Sequence, residues 1–184
     1  NRAEKLGLPL VFTFHTRYVE YADEYTAAYV PFSQAFVGGI VVEGLVKYLN
    51  RCQHIVTPSD SIKQDLVEYA GLTDRVTTIP TGIDLEPYQK ADGQPIRQQF
   101  GWNGQKVLVS VGRLAEEKNV KTLLSAVAQV MSQRDDVCLL LIGDGPQRKE
   151  LEKFSEELGI AARVNFTGRI PFDQVPAYLK AADL

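Results

Sequence analysis

The sequence has few of the residues that carry thiol, metal or membrane-spanning functions. Its 184 residues include two cysteines and two histidines, and neither pair has the close spacing of a zinc or redox motif. There is no P-loop and no strand-turn nucleophile motif. The apolar stretch at 35–49 is interrupted by Glu43 and is shorter than the ~20 apolar residues that cross a bilayer. The sequence therefore gives no support to a zinc, dithiol, P-loop or membrane-spanning function.

Composition narrows the class further. The formal net charge is −3 and the isoelectric point is near 5.5, which argues against a general nucleic-acid binder because such domains carry a basic excess. A hydrophobic content of 45% in a chain of this length is enough for a substantial core. Cys138 lies in the apolar run VCLLLIG, and we expect both cysteines to be reduced thiols of a cytoplasmic protein.

Apolar strands and amphipathic helices alternate along the chain. Strands are predicted at 10–14, 54–57, 76–79, 106–111, 137–142 and 163–166, and helices at 33–52, 59–70, 120–133, 147–158 and 173–182. Continuous apolar strands with helices between them predict parallel sheets covered on both faces. The segment after Ile79 is rich in proline and glycine and has no periodic apolar face, which is typical of a linker. We therefore predict domains at 1–81 and 106–184, with an interdomain linker and entry to the second domain at 82–105.

One segment, VLVSVGRLAEEKN at 107–119, has the pattern of a diphosphate site. A strand ends in Gly112, where the missing side chain lets a ligand approach the backbone closely. A helix is predicted to open near Asn119, and its first N–H groups and dipole favour an anion. Arg113 and Lys118 add two cations at the same place. The alternative is an ordinary strand-to-helix turn with solvated charges.

The same pattern extends over nearly the whole chain and resembles a known family. The segments that carry the resemblance are VFTFHTRYVEY, TPSDSIKQDL, IPTGID, the strand and turn above, LLLIGDGP, VNFTGRIP and AYLKAADL. They are similar to the retaining glycosyltransferases of the GT-B fold, family 4. The resemblance implies an α/β protein with two Rossmann-like parallel-sheet halves, each incomplete in this chain. The first half would be the acceptor-side domain and the second would bind a nucleotide-sugar.

The resemblance also implies roles for particular residues of the second half. Gly112, Arg113 and Lys118 would bind the donor diphosphate, Gly143 and Gly145 would line the cleft, and Arg169 and Ile170 would meet the nucleotide base. No metal and no cofactor are implied, since the nucleotide diphosphate sugar is the substrate. The GDGP turn does not complete a dinucleotide fingerprint, because Arg148 stands where its third glycine belongs.

In the first half, His15 follows directly on a predicted strand. The carboxyl ends of strands in α/β sheets are where ligands bind, and the resemblance assigns His15 to face the transferred sugar, as a hydrogen-bonding and polarising catalytic residue. A purely structural histidine is the alternative. Arg17 and Tyr18 follow in the same loop and are candidates for the acceptor site, or for a solvated loop with an aromatic anchor.

The function implied is transfer of a sugar from a nucleotide diphosphate sugar to an acceptor hydroxyl with retention of configuration. A non-catalytic nucleotide-binding fragment and a nicotinamide-dependent oxidoreductase are the alternatives. The acceptor would be a sugar, a lipid or a small metabolite. FHTRYVEY resembles the corresponding segment of enzymes that glycosylate diacylglycerol, which raises the hypothesis of peripheral contact with the inner face of the cell membrane.

Relatives continue beyond the last residues, AADL, into an acidic segment that holds the donor's sugar and ribose. No stretch of this sequence replaces that segment. We therefore expect the 184-residue chain alone to bind nucleotide weakly at best and to be inactive in transfer.

Overall fold

The computed structural model describes residues 2–15 and 34–184, and the chain divides into two units, Asn1–Ile83 and Asp84–Leu184. The first unit contains a parallel sheet of three strands in the order β1-β2-β3. Its elements are α1 (Arg2–Lys5), β1 (Val11–Thr13), α2 (Gln34–Leu49), β2 (His54–Thr57), α3 (Asp60–Ala70) and β3 (Val76–Thr78). Each strand and helix predicted for the described part of this unit is present, with ends within a few residues of those expected.

Local sequence explains both ends of α3. The Ser59 hydroxyl accepts a hydrogen bond from the N–H of Ile62 at 3.4 Å, which satisfies one of the free N–H groups at the start of the helix. Gly71 ends the helix in the left-handed conformation, with φ of 63°, and its N–H donates to the carbonyl of Val67. The helix then packs Leu66 into the core of the unit, beside Phe14 and Ile55.

The second unit contains a second parallel sheet of three strands, in the order β4-β5-β6. Its elements are α4 (Glu86–Lys90), α5 (Gln94–Phe100), β4 (Lys106–Val111), α6 (Val120–Met131), β5 (Val137–Ile142), α7 (Arg148–Glu157), β6 (Val164–Gly168) and α8 (Val175–Ala181). Short 3₁₀ helices precede α6, β6 and α8, at Glu116–Lys118, Ala161–Arg163 and Phe172–Gln174. The bounds of β4 and β5 are those predicted from sequence.

The central strand β5 shows why its sequence is apolar throughout. Every residue of VCLLLI is buried. Leu139 and Leu141 pack on one face of the sheet with residues of α6 and α7, such as Leu124 and Leu151. Leu140 belongs instead to a second cluster, which includes Trp102 and Tyr178. Both faces of the sheet are therefore covered, as the continuous apolar run predicts.

The segment 82–105, predicted as an interdomain linker and entry to the second domain, contains two short helices that the sequence analysis did not predict, α4 and α5, and both belong to the second unit. Each helix opens on the same local pattern, an aspartate three residues before a proline. Asp84 Oδ1 accepts from Glu86 N at 3.0 Å, and Asp92 Oδ1 accepts from Gln94 N at 2.9 Å. The prolines that indicated a loop stand in the first helical turn, where a missing N–H breaks no helical hydrogen bond.

Asp183 connects the end of the described chain to β4 and α5. Its carboxylate accepts from the N–H of Val107 at 2.9 Å and from the Lys106 ammonium at 3.1 Å. It also pairs with the Arg97 guanidinium at 2.5 Å. The hydrogen bond from Val107, with those from the two cations, lowers the pKa of Asp183 from 3.8 to about 2. The ionised form of Asp183 is therefore more stable in the folded protein than in the unfolded chain.

Asp183→Asn is expected to lower the free energy of unfolding at neutral pH by about 1 to 2 kcal/mol, since it removes charge-assisted hydrogen bonds. The folded-state pKa is the lower one, so the wild-type advantage is present above pH 3.8 and disappears as the pH falls towards 2. Urea unfolding at several pH values measures both effects. A difference that persists unchanged down to the lowest pH would show that the carboxylate charge is not its source.

Candidate functional site

The site is built at the edge of the second sheet where its strands end. Because β4, β5 and β6 are parallel, their carboxyl ends meet at one edge. A cavity of about 320 Å³ opens there. Its lining comes from the strand ends and the turns after them: Val111, Gly112, Arg113, Ile142, Gly143, Asp144, Arg169, Ile170 and Val175. Five residues predicted for the donor site are thus brought together here: Gly112, Arg113, Gly143, Arg169 and Ile170.

Gly143 is required where two of these turns touch. Its φ is 136°, and a Cβ added there would lie 1.8 Å from the carbonyl oxygen of Gly112. The N–H of Gly112 in turn donates to Ile142 O at 2.9 Å. The turns after β4 and β5 are therefore in direct backbone contact, and only glycine at 143 permits that approach.

Gly145, predicted to line the cleft, packs against the backbone that follows Arg113. It is absent from the lining of the 320 Å³ cavity, and a Cβ there would lie 2.3 Å from Leu114 O. The backbone of Leu114 donates to Asp144 O and accepts from Gln147 N, both at 3.1 Å. The absence of a side chain at Gly145 thus lets the backbone of Leu114 pack directly onto the GDGP turn.

A second, smaller cavity of about 80 Å³ adjoins the same turn. Lys118 lines it together with Gly112, Arg113 and Val120, the first residue of α6. The two cations predicted to hold a diphosphate therefore border one small space, beside the amino end of a helix of 12 residues.

The cations of these cavities differ from most others in the second unit. Arg113, Lys118 and Arg169 are exposed, and none has an ion pair or hydrogen bond from its side chain to a described residue. By contrast, Lys121 binds Glu150 at 2.6 Å and Arg148 binds Glu152 at 2.8 Å. The carboxylates raise the pKa of both of those partners through their hydrogen bonds. The strand ends thus present three cations without an ion pair to a described carboxylate, beside a single acidic side chain in the lining of the larger cavity, Asp144. A surface with this excess of positive charge attracts an anion.

Arg148 occupies the position of the third glycine of a dinucleotide fingerprint. Its side chain occupies the start of α7 and bonds to Glu152, with a longer contact of 3.4 Å to Phe166 O. A Cβ at Gly168 would lie 2.9 Å from Nη1 of the same arginine. In the fingerprint, the third glycine permits close packing of the helix on the strand, and a large arginine side chain stands at that position here.

In the first unit, His15 is exposed at the carboxyl end of β1, directly after the buried Phe14. Phe14 N donates to Val56 O at 2.7 Å, which fixes the strand end that carries the histidine. Arg17 and Tyr18 lie outside the described residues, so the predicted acceptor loop stays a prediction.

The described residues give no support to a metal site, a membrane span or a reactive thiol. No cluster of three or more histidine, cysteine or acidic side chains there has the arrangement of a metal site. Among the described helices, none combines the length and apolar character needed to cross a membrane. Burial raises the pKa of the Cys52 and Cys138 thiols, which disfavours their thiolate forms.

Comparison with known families assigns the chain. Residues 92–184 match the family model for glycosyl transferases group 1, and residues 1–87 match the model for glycosyltransferase family 4. The chain belongs to the group 1 glycosyl transferase family. The resemblance of its motifs is thereby confirmed.

Similar members of this group 1 family have several acceptors in their names. Alpha-monoglucosyldiacylglycerol synthase of Streptococcus pneumoniae is 31% identical over 98% of this chain and 41% of its own length. 2-Deoxystreptamine glucosyltransferase of Streptomyces kanamyceticus is 32% identical over 74% of this chain and 36% of its own length. This chain thus spans about two fifths of the length of these relatives.

Solved structures of glycosyltransferases show the fold. Anabaena Alr3699/HepE in complex with UDP-glucose covers 98% of this chain with a TM-score of 0.78 and 26% identity, and 47% of that protein is matched. WaaG, a glycosyltransferase of lipopolysaccharide biosynthesis, covers 100% of this chain and is matched over 54% of its own length, with a TM-score of 0.71 and 19% identity. The chain has the Rossmann-like parallel sheets of the GT-B fold, as its sequence predicted.

Sequence reasoning missed Asp144 in the cavity lining and the backbone conformation of Asn119. Asp144 lines the 320 Å³ cavity, and its Oδ1 accepts from Gly145 N at 2.8 Å. Asn119 adopts a left-handed conformation between Lys118 and α6. The position of Asp144 inside GDGP, after a predicted strand, was a usable signal. The conformation of Asn119 had only a weak one, the tolerance of asparagine for positive φ.

Proposed function

We propose that the protein transfers a sugar from a nucleotide diphosphate sugar to an acceptor hydroxyl with retention of configuration. The observation that carries this proposal is a set of three cations, Arg113, Lys118 and Arg169, around adjoining cavities at the strand ends, none of them in an ion pair with a described residue. Solved structures similar to this chain contain UDP and UDP-glucose as bound ligands, which supports a donor of this chemical class.

The chemistry follows from where charge develops. When the bond between the sugar carbon and the diphosphate oxygen breaks, the electron pair stays on the diphosphate, whose negative charge increases. The side-chain cations of Arg113 and Lys118 and the N–H groups at the start of α6 stabilise this developing charge more strongly than they stabilise the bound donor in its ground state. The barrier to bond breaking is thereby lowered. In this proposal these groups take the place of a metal ion.

The acceptor hydroxyl oxygen then bonds to the same carbon, from the face that the diphosphate leaves. Its proton passes to the departing phosphate oxygen, so atoms and charges balance and the configuration is retained. We assign His15 a hydrogen bond to the transferred sugar, because the residue is exposed at a strand end in the acceptor-side unit.

The acceptor we propose to test first is a lipid. The relative that matches 98% of this chain at 31% identity is named alpha-monoglucosyldiacylglycerol synthase. Another relative has phosphatidylinositol monomannoside in its name. Small soluble acceptors are the alternative, since a 2-deoxystreptamine glucosyltransferase is equally similar over a shorter range.

We expect thermal-shift screening of the full-length protein to select one nucleotide-sugar from a panel of UDP, GDP and ADP sugars. That donor should then release its nucleoside diphosphate faster when anionic liposomes containing diacylglycerol are added. The same assay with soluble aminocyclitol and inositol acceptors is the control. Binding without any turnover would favour a non-catalytic nucleotide-binding protein, and selection of nicotinamide cofactors over all sugars would favour an oxidoreductase.

A further inference from the structure

Asn119 has an unusual backbone conformation between two residues that line the 80 Å³ cavity, Lys118 and Val120. With φ of 48° and ψ of 41°, it is the one non-glycine residue with positive φ in the part of the chain that the structure describes. The left-handed region costs an ordinary side chain free energy, and asparagine tolerates it better than most residues do. This position therefore keeps an unfavourable conformation for a reason that the surrounding structure should supply.

The conformation places the residues on either side of Asn119 against the same space. Lys118 ends the 3₁₀ helix and Val120 begins α6, yet both line the 80 Å³ cavity with Arg113. Asn119 N donates to Glu116 O at 2.9 Å, closing the first helix, and Asn119 O accepts from Thr122 N at 3.1 Å, opening the second. Its side-chain oxygen accepts from the Thr122 hydroxyl at 2.8 Å.

The flanks of this turn are held independently of Asn119. Before it, the Glu116 carboxylate accepts from the Gln147 amide. After it, Lys121 pairs with Glu150 of α7 at 2.6 Å. Because both flanks are attached to the start of α7, the φ and ψ of Asn119 set the path of the chain between them. That path sets where the Lys118 side chain begins.

We propose that Asn119 is a positioning residue whose left-handed backbone holds the Lys118 ammonium at the donor diphosphate. The inference rests on the proposed function, because it requires Lys118 to bind the donor. It adds a requirement on the backbone that the charge alone does not contain. The requirement is for positive φ, which glycine supplies and alanine resists.

The test compares Asn119→Ala with Asn119→Gly in the full-length protein, titrated with UDP or with the nucleoside diphosphate of the selected donor. Alanine should raise the Kd roughly three- to tenfold, because the turn relaxes and only part of the population presents Lys118. Glycine should stay within about twofold of wild type, since it adopts positive φ freely. In a Lys118→Ala background, Asn119→Ala should have no further effect on Kd, because its route to the ligand is gone.

Gly159→Ala is the matched control. Gly159 has φ of 71° and open space around its Cα, so alanine there introduces similar backbone strain away from both cavities. It should lower Tm without changing Kd. If Asn119→Ala lowers Tm but leaves Kd unchanged while Lys118→Ala weakens binding, the positioning role is wrong and the proposed site stands. If Lys118→Ala also leaves Kd unchanged, the proposed diphosphate site itself is wrong.

Discussion

Arg113→Ala and Lys118→Ala are each expected to weaken nucleotide-sugar binding by about 1.5 to 3 kcal/mol, the range of a hydrogen bond to a charged group. That corresponds to roughly a ten- to 150-fold rise in Kd. The physical reason is that both cations border the 80 Å³ cavity without a described carboxylate partner, so their charge is available to a phosphate. Calorimetric titration of the full-length protein with its donor measures the change.

The control for this pair is Lys153→Ala, which removes the same charge from α7 outside both cavities. Lys153 pairs with Glu157 on the helix surface at 3.4 Å, and its loss should leave donor affinity unchanged. The double variant at 113 and 118 need not show the sum of the single effects, because the two side chains share one ligand. Unchanged affinity in both single variants would rule out the phosphate site.

Gly143→Ala is the second change for which we expect a large effect, here on the free energy of unfolding. The new Cβ would lie 1.8 Å from Gly112 O, and φ at this position is 136°. Steric overlap and backbone strain together should cost about 2 to 5 kcal/mol. The turns after β4 and β5 must separate to relieve the overlap, so donor affinity should fall as well. Urea unfolding and donor titration measure the two losses.

Gly104→Ala separates strain from overlap. Gly104 also has positive φ, at 83°, but nothing lies within 4 Å of an added Cβ. The Gly104→Ala variant should lose only about 1 kcal/mol of the free energy of unfolding, from backbone strain, and its donor affinity should be unchanged. Equal losses in the two glycine variants would show that the contact between Gly143 and Gly112 contributes little.

Much of the fold was predictable because its signals are local. The strand β5 is apolar at every position and is covered on both faces, and α3 carries a serine cap and a terminal glycine where the structure uses them. The error over 82–105 has a local cause too. Pro87 and Pro95 indicated a loop, although each follows an aspartate whose carboxylate accepts from the first N–H of a short helix.

The site was predictable in its charges and less so in its backbone. Arg113, Lys118, Arg169 and the glycines at 112 and 143 lie at the cavities that the motifs indicated. The packing of Gly145 on Leu114 depends on how two turns meet, and spacing along the sequence does not encode that distance. The acceptor positions Arg17 and Tyr18 fall outside the described residues and stay predictions.

The central claim is that the donor's diphosphate binds where β4 ends, between Gly112 and the start of α6. Hydrogen–deuterium exchange of the full-length protein, with and without its selected nucleotide-sugar, tests this most directly. We expect slower exchange of the backbone amides at 112–121 on donor binding, with smaller protection at 143–145 and 168–170. Unchanged exchange at 112–121 under saturating donor, with protection only elsewhere, would contradict the account.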